Sequence, residues 1–171
     1  MRHFEFIIHL DREPTDDEID ALYEAGFDDS SVECGNGAGK ILVDRDAAAL
    51  GDAVRSAVEQ ANAAGFEVVA IEDEDLVGRA TIATRLGVSP QYVHLLATGK
   101  RGPGGFPVVQ SGDGWALYSW TQVAQWARDR LGHNVPEDDD TRILAMADHL
   151  LRARALAHDT DRELFKALVP A

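Results

Sequence analysis

Residues 3–10, His-Phe-Glu-Phe-Ile-Ile-His-Leu, alternate loosely between apolar and polar and are rich in β-formers, which predicts a strand. Thr15-Asp16-Asp17-Glu18 then has the spacing of a capping box, with Thr15 as N-cap and Glu18 three residues on. A helix is expected after it, carrying Ile19, Leu22 and Tyr23 on one face and closing at Gly26. Two strands follow at 30–34 and 40–44, joined by Gly35-Asn36-Gly37-Ala38-Gly39. Leu50, Val54, Ala57, Val58 and Ala61 recur at helical spacing, so a second helix is predicted from about Asp46 to Ala64, stopped by Gly65. Glu67 to Ile71 completes the series as a strand. Both helices end alike, in Glu24-Ala25-Gly26-Phe27 and Ala63-Ala64-Gly65-Phe66. The order β-α-β-β-α-β predicts a ferredoxin-like domain over 1–74 in a chain of α+β class, an architecture that names no function.

The periodicity shortens after residue 78. Ile82, Ala83 and Leu86 share one face of a short helix, and Gly87 follows where a positive φ is easily adopted. Val88 fills the corner, Ser89 is a strong N-cap, and Pro90 suits a first helical position. Val93 and Leu96 then turn a second helix, Pro90 to Thr98, back onto the first. A strand at 106–110, a turn at Ser111-Gly112-Asp113-Gly114 and a returning strand at 115–118 are expected next. Ser119 and Gln122 open a further helix through Leu131, with Val123, Trp126, Ala127 and Arg130 on one face and Trp126 in the core. A last helical segment, 135–171, carries the stripe Ile143, Leu144, Ala147, Leu150 and Leu151 to about Leu156, and a short helix at 161–168. This stripe suits either packing on the preceding domain or a helix pair between two copies.

Charge sharpens the middle of the chain. The net charge is −14 overall, yet residues 79–133 hold 6 Lys/Arg (Arg79, Arg85, Lys100, Arg101, Arg128 and Arg130) against 2 acids, while residues 1–78 hold 5 against 20. A local basic patch governs phosphate binding more than the total does. The acidic flanks oppose it, so modest affinity and dimerisation are expected.

Other chemistry is thinly represented. Gly35 to Gly39 lacks the spacing of a phosphate loop, and Ile41 stands where its hydroxyl would be needed, so a hairpin turn is the reading. Cys34, the single cysteine, lies between Glu33 and Gly35, which do not favour a thiolate; it excludes an internal disulfide. The six histidines show no metal-ligand spacing. Asp148-His149 and His158-Asp159 read as solvated helix residues, and Asp16-Asp17, Asp28-Asp29 and Asp138-Asp139-Asp140 as helix starts or turns. No catalytic constellation, metal site or cofactor is expected. No apolar run approaches the roughly 20 residues of a membrane span. With no signal-peptide layout at Met1-Arg2-His3-Phe4, a soluble cytoplasmic protein is expected.

Leu76-Val77-Gly78, Ile82-Ala83, Leu86-Gly87-Val88-Ser89, Val93-His94, Phe106-Pro107, Trp115 and Val123-x-x-Trp126 together resemble the small winged helix-turn-helix domains of the MerR/excisionase/AlpA-like group. The resemblance covers about a third of the chain, within the domain expected at 75–134. It implies binding of double-stranded DNA, with the second helix in the major groove and a wing beside it. The contact set expected is Arg79, Ser89, Gln91, Tyr92, His94, Thr98, Lys100 and Arg101. Gln91 suits adenine, and Tyr92 a phosphate or a thymine methyl. Lys100 and Arg101 suit phosphates, and the glycine-rich link that holds them, 99–105, is longer than usual and suits either a flexible basic arm, the favoured reading because both its charges are positive, or a slack loop. A bacterial transcriptional regulator is expected. An excision or recombination accessory factor, or an antitoxin-like adaptor whose acidic N-terminal domain binds a protein partner, are the alternatives.

Overall fold

The computed structural model describes residues 1–35, 37–111, 115–157 and 161–168. The chain is of mixed α+β class and divides into two compact units, Met1–Glu72 with Met146–Ala171, and Asp73–Ala145. The segment 135–171, a unit of its own by sequence, is thus shared between the two. Among the described residues no helix is long and apolar enough to cross a membrane.

In the first unit, β1 (Arg2–Leu10), β2 (Ser30–Gly35), β3 (Ala38–Ala47) and β4 (Val68–Ile71) form an antiparallel sheet in the order β2-β3-β1-β4. Helix α1 (Asp16–Leu22) follows β1 and α2 (Leu50–Ala63) follows β3. Period-two alternation places Phe4, Phe6, Ile8 and Leu10 of β1 in the core, opposite Ile41 and Val43 of β3. Residues 46–47, expected in the second helix, belong instead to β3, because the pairing with β1 runs through Arg2↔Ala47. Tyr23, expected on the buried face of α1, is half exposed. The helical chain continues as a π-turn over Tyr23–Phe27 that breaks at Gly26, φ +113°, where the helix was expected to close, and Phe27 is buried in place of Tyr23, five residues after Leu22. Cys34 is an exposed strand residue. The hairpin predicted at 35–39 joins β2 to β3, with Asn36 outside the described residues.

The Glu18 half of the capping box forms as expected, its carboxylate accepting the Thr15 N–H at 2.9 Å. Arg12 adds a two-pronged contact to the same carboxylate, at 2.8 and 2.9 Å. These contacts, that of Arg12 above all, hold the Glu18 carboxyl down at about 2, against an ordinary 4.5. A folded value below the unfolded one stabilises the fold fully above about pH 4.5, and the contribution is lost as pH falls through about 2. Carbon-13 titration of the side chain is expected to show that low midpoint, and Arg12→Ala to return it towards 4.5. A wild-type midpoint above 4 contradicts the contact.

Helix α6 (Asp139–Leu156) covers the free edge of β4 with its second half. Asp148 Oδ1 accepts the Ile71 N–H at 3.0 Å, and Arg154 Nη2 donates to the Val68 carbonyl at 2.9 Å. Asp148 is therefore not solvated, as its sequence neighbourhood implied, but 4% exposed, because it satisfies a strand donor that would otherwise be open. Leu150 of the predicted stripe is 41% exposed, while Leu151 is buried. Helix α7 (Arg162–Leu168) follows, and His158-Asp159 lies outside the described residues.

In the second unit, β5 (Leu76–Gly78) runs into α3 (Arg79–Leu86) and α4 (Pro90–Ala97), and β6 (Leu117–Ser119) into α5 (Trp120–Trp126). A π-turn, Ala127–Leu131, ends the last of these at Gly132. Ile82, Ala83, Leu86, Val93, Leu96, Tyr118, Trp120, Val123 and Trp126 form its core, and Arg130 stays exposed. The strand expected at 106–110 is absent. Phe106 turns inward against Tyr118 and Trp126, Pro107 offers no N–H, and Val108 and Val109 are both exposed, so the segment lacks one ladder donor and the alternation of a strand. Its one ladder-like bond is Gln110 N–H to the Leu117 carbonyl, at 2.9 Å. The returning strand starts at Leu117 rather than 115 and pairs with β5, in the register Val77↔Tyr118. The predicted turn at 112–114 lies outside the described residues.

Candidate nucleic-acid interface

The corner between α3 and α4 forms as its residues dictate. Gly87 takes φ +66°, ψ +32°, which closes α3 in the left-handed region where a side chain is disfavoured. Ser89 Oγ accepts the Tyr92 N–H at 3.2 Å, and Pro90 occupies the first turn of α4. Val93 and Leu96 are fully buried against α3. That leaves Gln91 and His94, three residues apart and on the same side of α4, facing outward.

They face an open groove of about 930 Å³. Its walls are residues 78–80 at the start of α3, Pro90, Gln91, His94 and Leu95 of α4, and residues 115–117 leading into β6. Trp115, 78% exposed, stands on its rim. Arg79 Nη1 donates to His94 Nδ1 at 2.7 Å, and both residues line the groove. Two elements 15 residues apart thus meet in one polar pair, which no local pattern announces.

The expected contact residues separate into groups. Arg79, Gln91 and His94 line the groove together. Tyr92 lies round the helix from them, half-buried against the core, with the Arg101 guanidinium 5.5 Å from its ring centre. Ser89 is exposed, but its hydroxyl serves the cap. The Thr98 hydroxyl is likewise engaged, donating to the His94 carbonyl at 2.8 Å at the end of α4. Lys100 is exposed one turn beyond α4.

The link that carries Lys100 and Arg101 is folded back rather than extended as an arm. The N–H groups of Lys100 and Arg101 donate to the Leu95 carbonyl at 2.9 and 3.2 Å, and the Gly104 carbonyl accepts Trp126 Nε1–H at 2.9 Å. At Gly102, with φ +83°, a Cβ would lie 2.5 Å from Leu96 Cδ2. Gly102 permits close packing, and Gly99, Gly104 and Gly105 supply positive φ for the turns of the link. Two further basic residues are committed within the unit. Arg85 lies over the Trp120 ring and 3.6 Å from Glu74, and Arg128 donates to the Val135 carbonyl at 3.3 Å.

Sequence reading missed Asp75. It is 5% exposed, its Oδ1 accepts the Thr121 N–H at 2.7 Å, and its carbonyl accepts the Trp120 N–H at 2.7 Å, which ties β5 to the start of α5. In the first unit, His3, Glu5 and Asp44 bring one possible ligand atom each to within 4.8 Å of one another on exposed β1 and β3. The histidine spacing gave no sign of this because the cluster is completed by carboxylates, Glu5 of the same strand and Asp44 of the paired one. His3 Nε2 lies 3.0 Å from Asp44, so cross-strand pairing accounts for the cluster.

No protein-family model matches the chain, and no curated protein or solved structure matches it. What the groove does follows from its own chemistry.

Proposed function

We propose that the unit holding α3 and α4 is a winged helix-turn-helix that binds double-stranded DNA, and that the protein is a sequence-specific regulator of transcription. The observation that carries the reading is the outer face of α4. Gln91 and His94 stand exposed on a helix whose inner face, Val93 and Leu96, is locked in the core. A rigid helix with amide and imidazole groups outward suits base edges in a major groove. Val108–Gln110 and Trp115, which approach β6, would belong to the wing, and Lys100 and Arg101 would meet phosphate. For the first unit we propose a ferredoxin-like fold, supported by its sheet order and by the two helices that follow β1 and β3. Its acidity would weaken binding by one copy, so we infer that two copies act on a two-fold site.

The test is binding of labelled genomic fragments by the full chain at two salt concentrations, followed by sequencing of the bound pool. Salt-sensitive enrichment of a common motif is expected. Lys100→Ala with Arg101→Ala is expected to weaken binding to selected and random duplexes alike, and to reduce the slope of log K against log salt by about 2. Salt-independent binding, or none, rejects the reading.

A further inference from the structure

We propose that Arg79 fixes His94 as an Nε2–H donor, so that the groove reads guanine within one or two base pairs of the base read by Gln91. The inference rests on α4 entering the major groove.

A guanidinium carries only donors. With Arg79 Nη1 at 2.7 Å, His94 Nδ1 must accept. The single proton of the neutral ring is then on Nε2, at the far side of the ring from Arg79. His94 is exposed and lines the groove, and among the described residues Nε2 meets no hydrogen-bonding group of the chain. The protein therefore presents a donor there, with the Arg79 charge behind it.

Of the four base edges in a major groove, guanine answers a lone donor best. It offers N7 and O6 side by side, whereas adenine sets an N6 amino donor beside its N7, cytosine shows an N4 donor, and thymine flanks O4 with a methyl. The Gln91 amide, with one donor and one acceptor, matches adenine instead. Positions i and i+3 on a helix are separated by about 4.5 Å of rise, close to the roughly 3.4 Å spacing of nucleotides along a strand, so the two side chains meet neighbouring steps. Arg79 becomes a positioning residue, acting on the base through His94.

The test takes the full-length chain and a randomised duplex library. Long-range proton–nitrogen-15 spectra are expected to show His94 as the Nε2–H tautomer, and Arg79→Met to release the ring into a mixture. Sites selected by the wild type are expected to carry guanine next to the Gln91-dependent adenine. In Arg79→Met the preference for that guanine falls about fivefold, while the adenine preference stays. A duplex with 7-deazaguanine at the position is expected to bind the wild type several-fold more weakly and His94→Ala unchanged. An Nδ1–H tautomer in the wild type overturns the proposal. So does an Arg79→Met variant that binds all sequences equally more weakly with its guanine preference intact, because Arg79 then serves phosphate alone. Binding of no duplex by the wild type, whatever the tautomer, rejects DNA binding itself and the guanine assignment with it.

Discussion

Replacing Arg45 by alanine is expected to destabilise the first unit by about 3 kcal/mol, the cost of breaking a buried, hydrogen-bonded charge pair. Arg45 occupies a core-facing position of β3 and is 8% exposed. Its guanidinium holds both Asp29 oxygens at 3.1 Å, Ser56 Oγ at 2.8 Å, Gln60 Oε1 at 2.6 Å and the Gly26 carbonyl at 3.1 Å. The same group lies 5.5 Å from the centre of the Phe27 ring. One fork thus joins β3, α2 and the π-turn that follows α1. Alanine strands these acceptors in a partly dry site and leaves Asp29 without its cation. Lysine keeps the charge but lacks the planar fork, so Arg45→Lys is expected to recover only part of the loss. Urea unfolding followed by far-ultraviolet circular dichroism is the measurement. Tryptophan emission is unsuitable because all three tryptophans lie between 115 and 126, in the other unit. A loss below 1 kcal/mol for alanine would mean that the network is solvated and contributes little.

The double replacement Gln91→Ala with His94→Ala is expected to cost about 3 kcal/mol of affinity for the preferred DNA sequence, more than a hundredfold, with binding to random duplex nearly unchanged. Both side chains are exposed and neither contributes to the core, so the circular dichroism spectrum and melting point should stay close to those of the wild type. Fluorescence anisotropy with selected and scrambled duplexes measures the difference directly. Equal losses on both duplexes would assign α4 to backbone contact only. This outcome is separable from that of Lys100→Ala with Arg101→Ala, where a uniform loss is the expected result.

Much of the fold was legible because its determinants are local. Gly87, Ser89 and Pro90 each answer a demand of their own backbone position, and the α3–α4 corner follows the prediction at each of them. Strand alternation placed β1, and helical spacing placed α2 apart from its first turn. Errors arose where two local patterns competed. Asp46 and Ala47 can start a helix or extend a strand, and the ladder with β1 decided between them. Val108 and Val109 have the composition of a strand, but the burial of Phe106 beside Pro107 removed their partner.

By itself the sequence determined the element order of the first unit, the corner that exposes Gln91 and His94, and the basic character of the segment around them. Tertiary structure alone decided that Arg45 is buried, that Asp148 and Arg154 close the β4 edge, that Asp75 caps α5, and that Arg79 meets His94. The physical reason is common to all four. Each is a polar side chain satisfied by groups 11 to 86 positions away. Such a partner leaves no periodic trace, because a single hydrogen bond constrains one residue type at one position, whereas a buried face constrains every third or fourth.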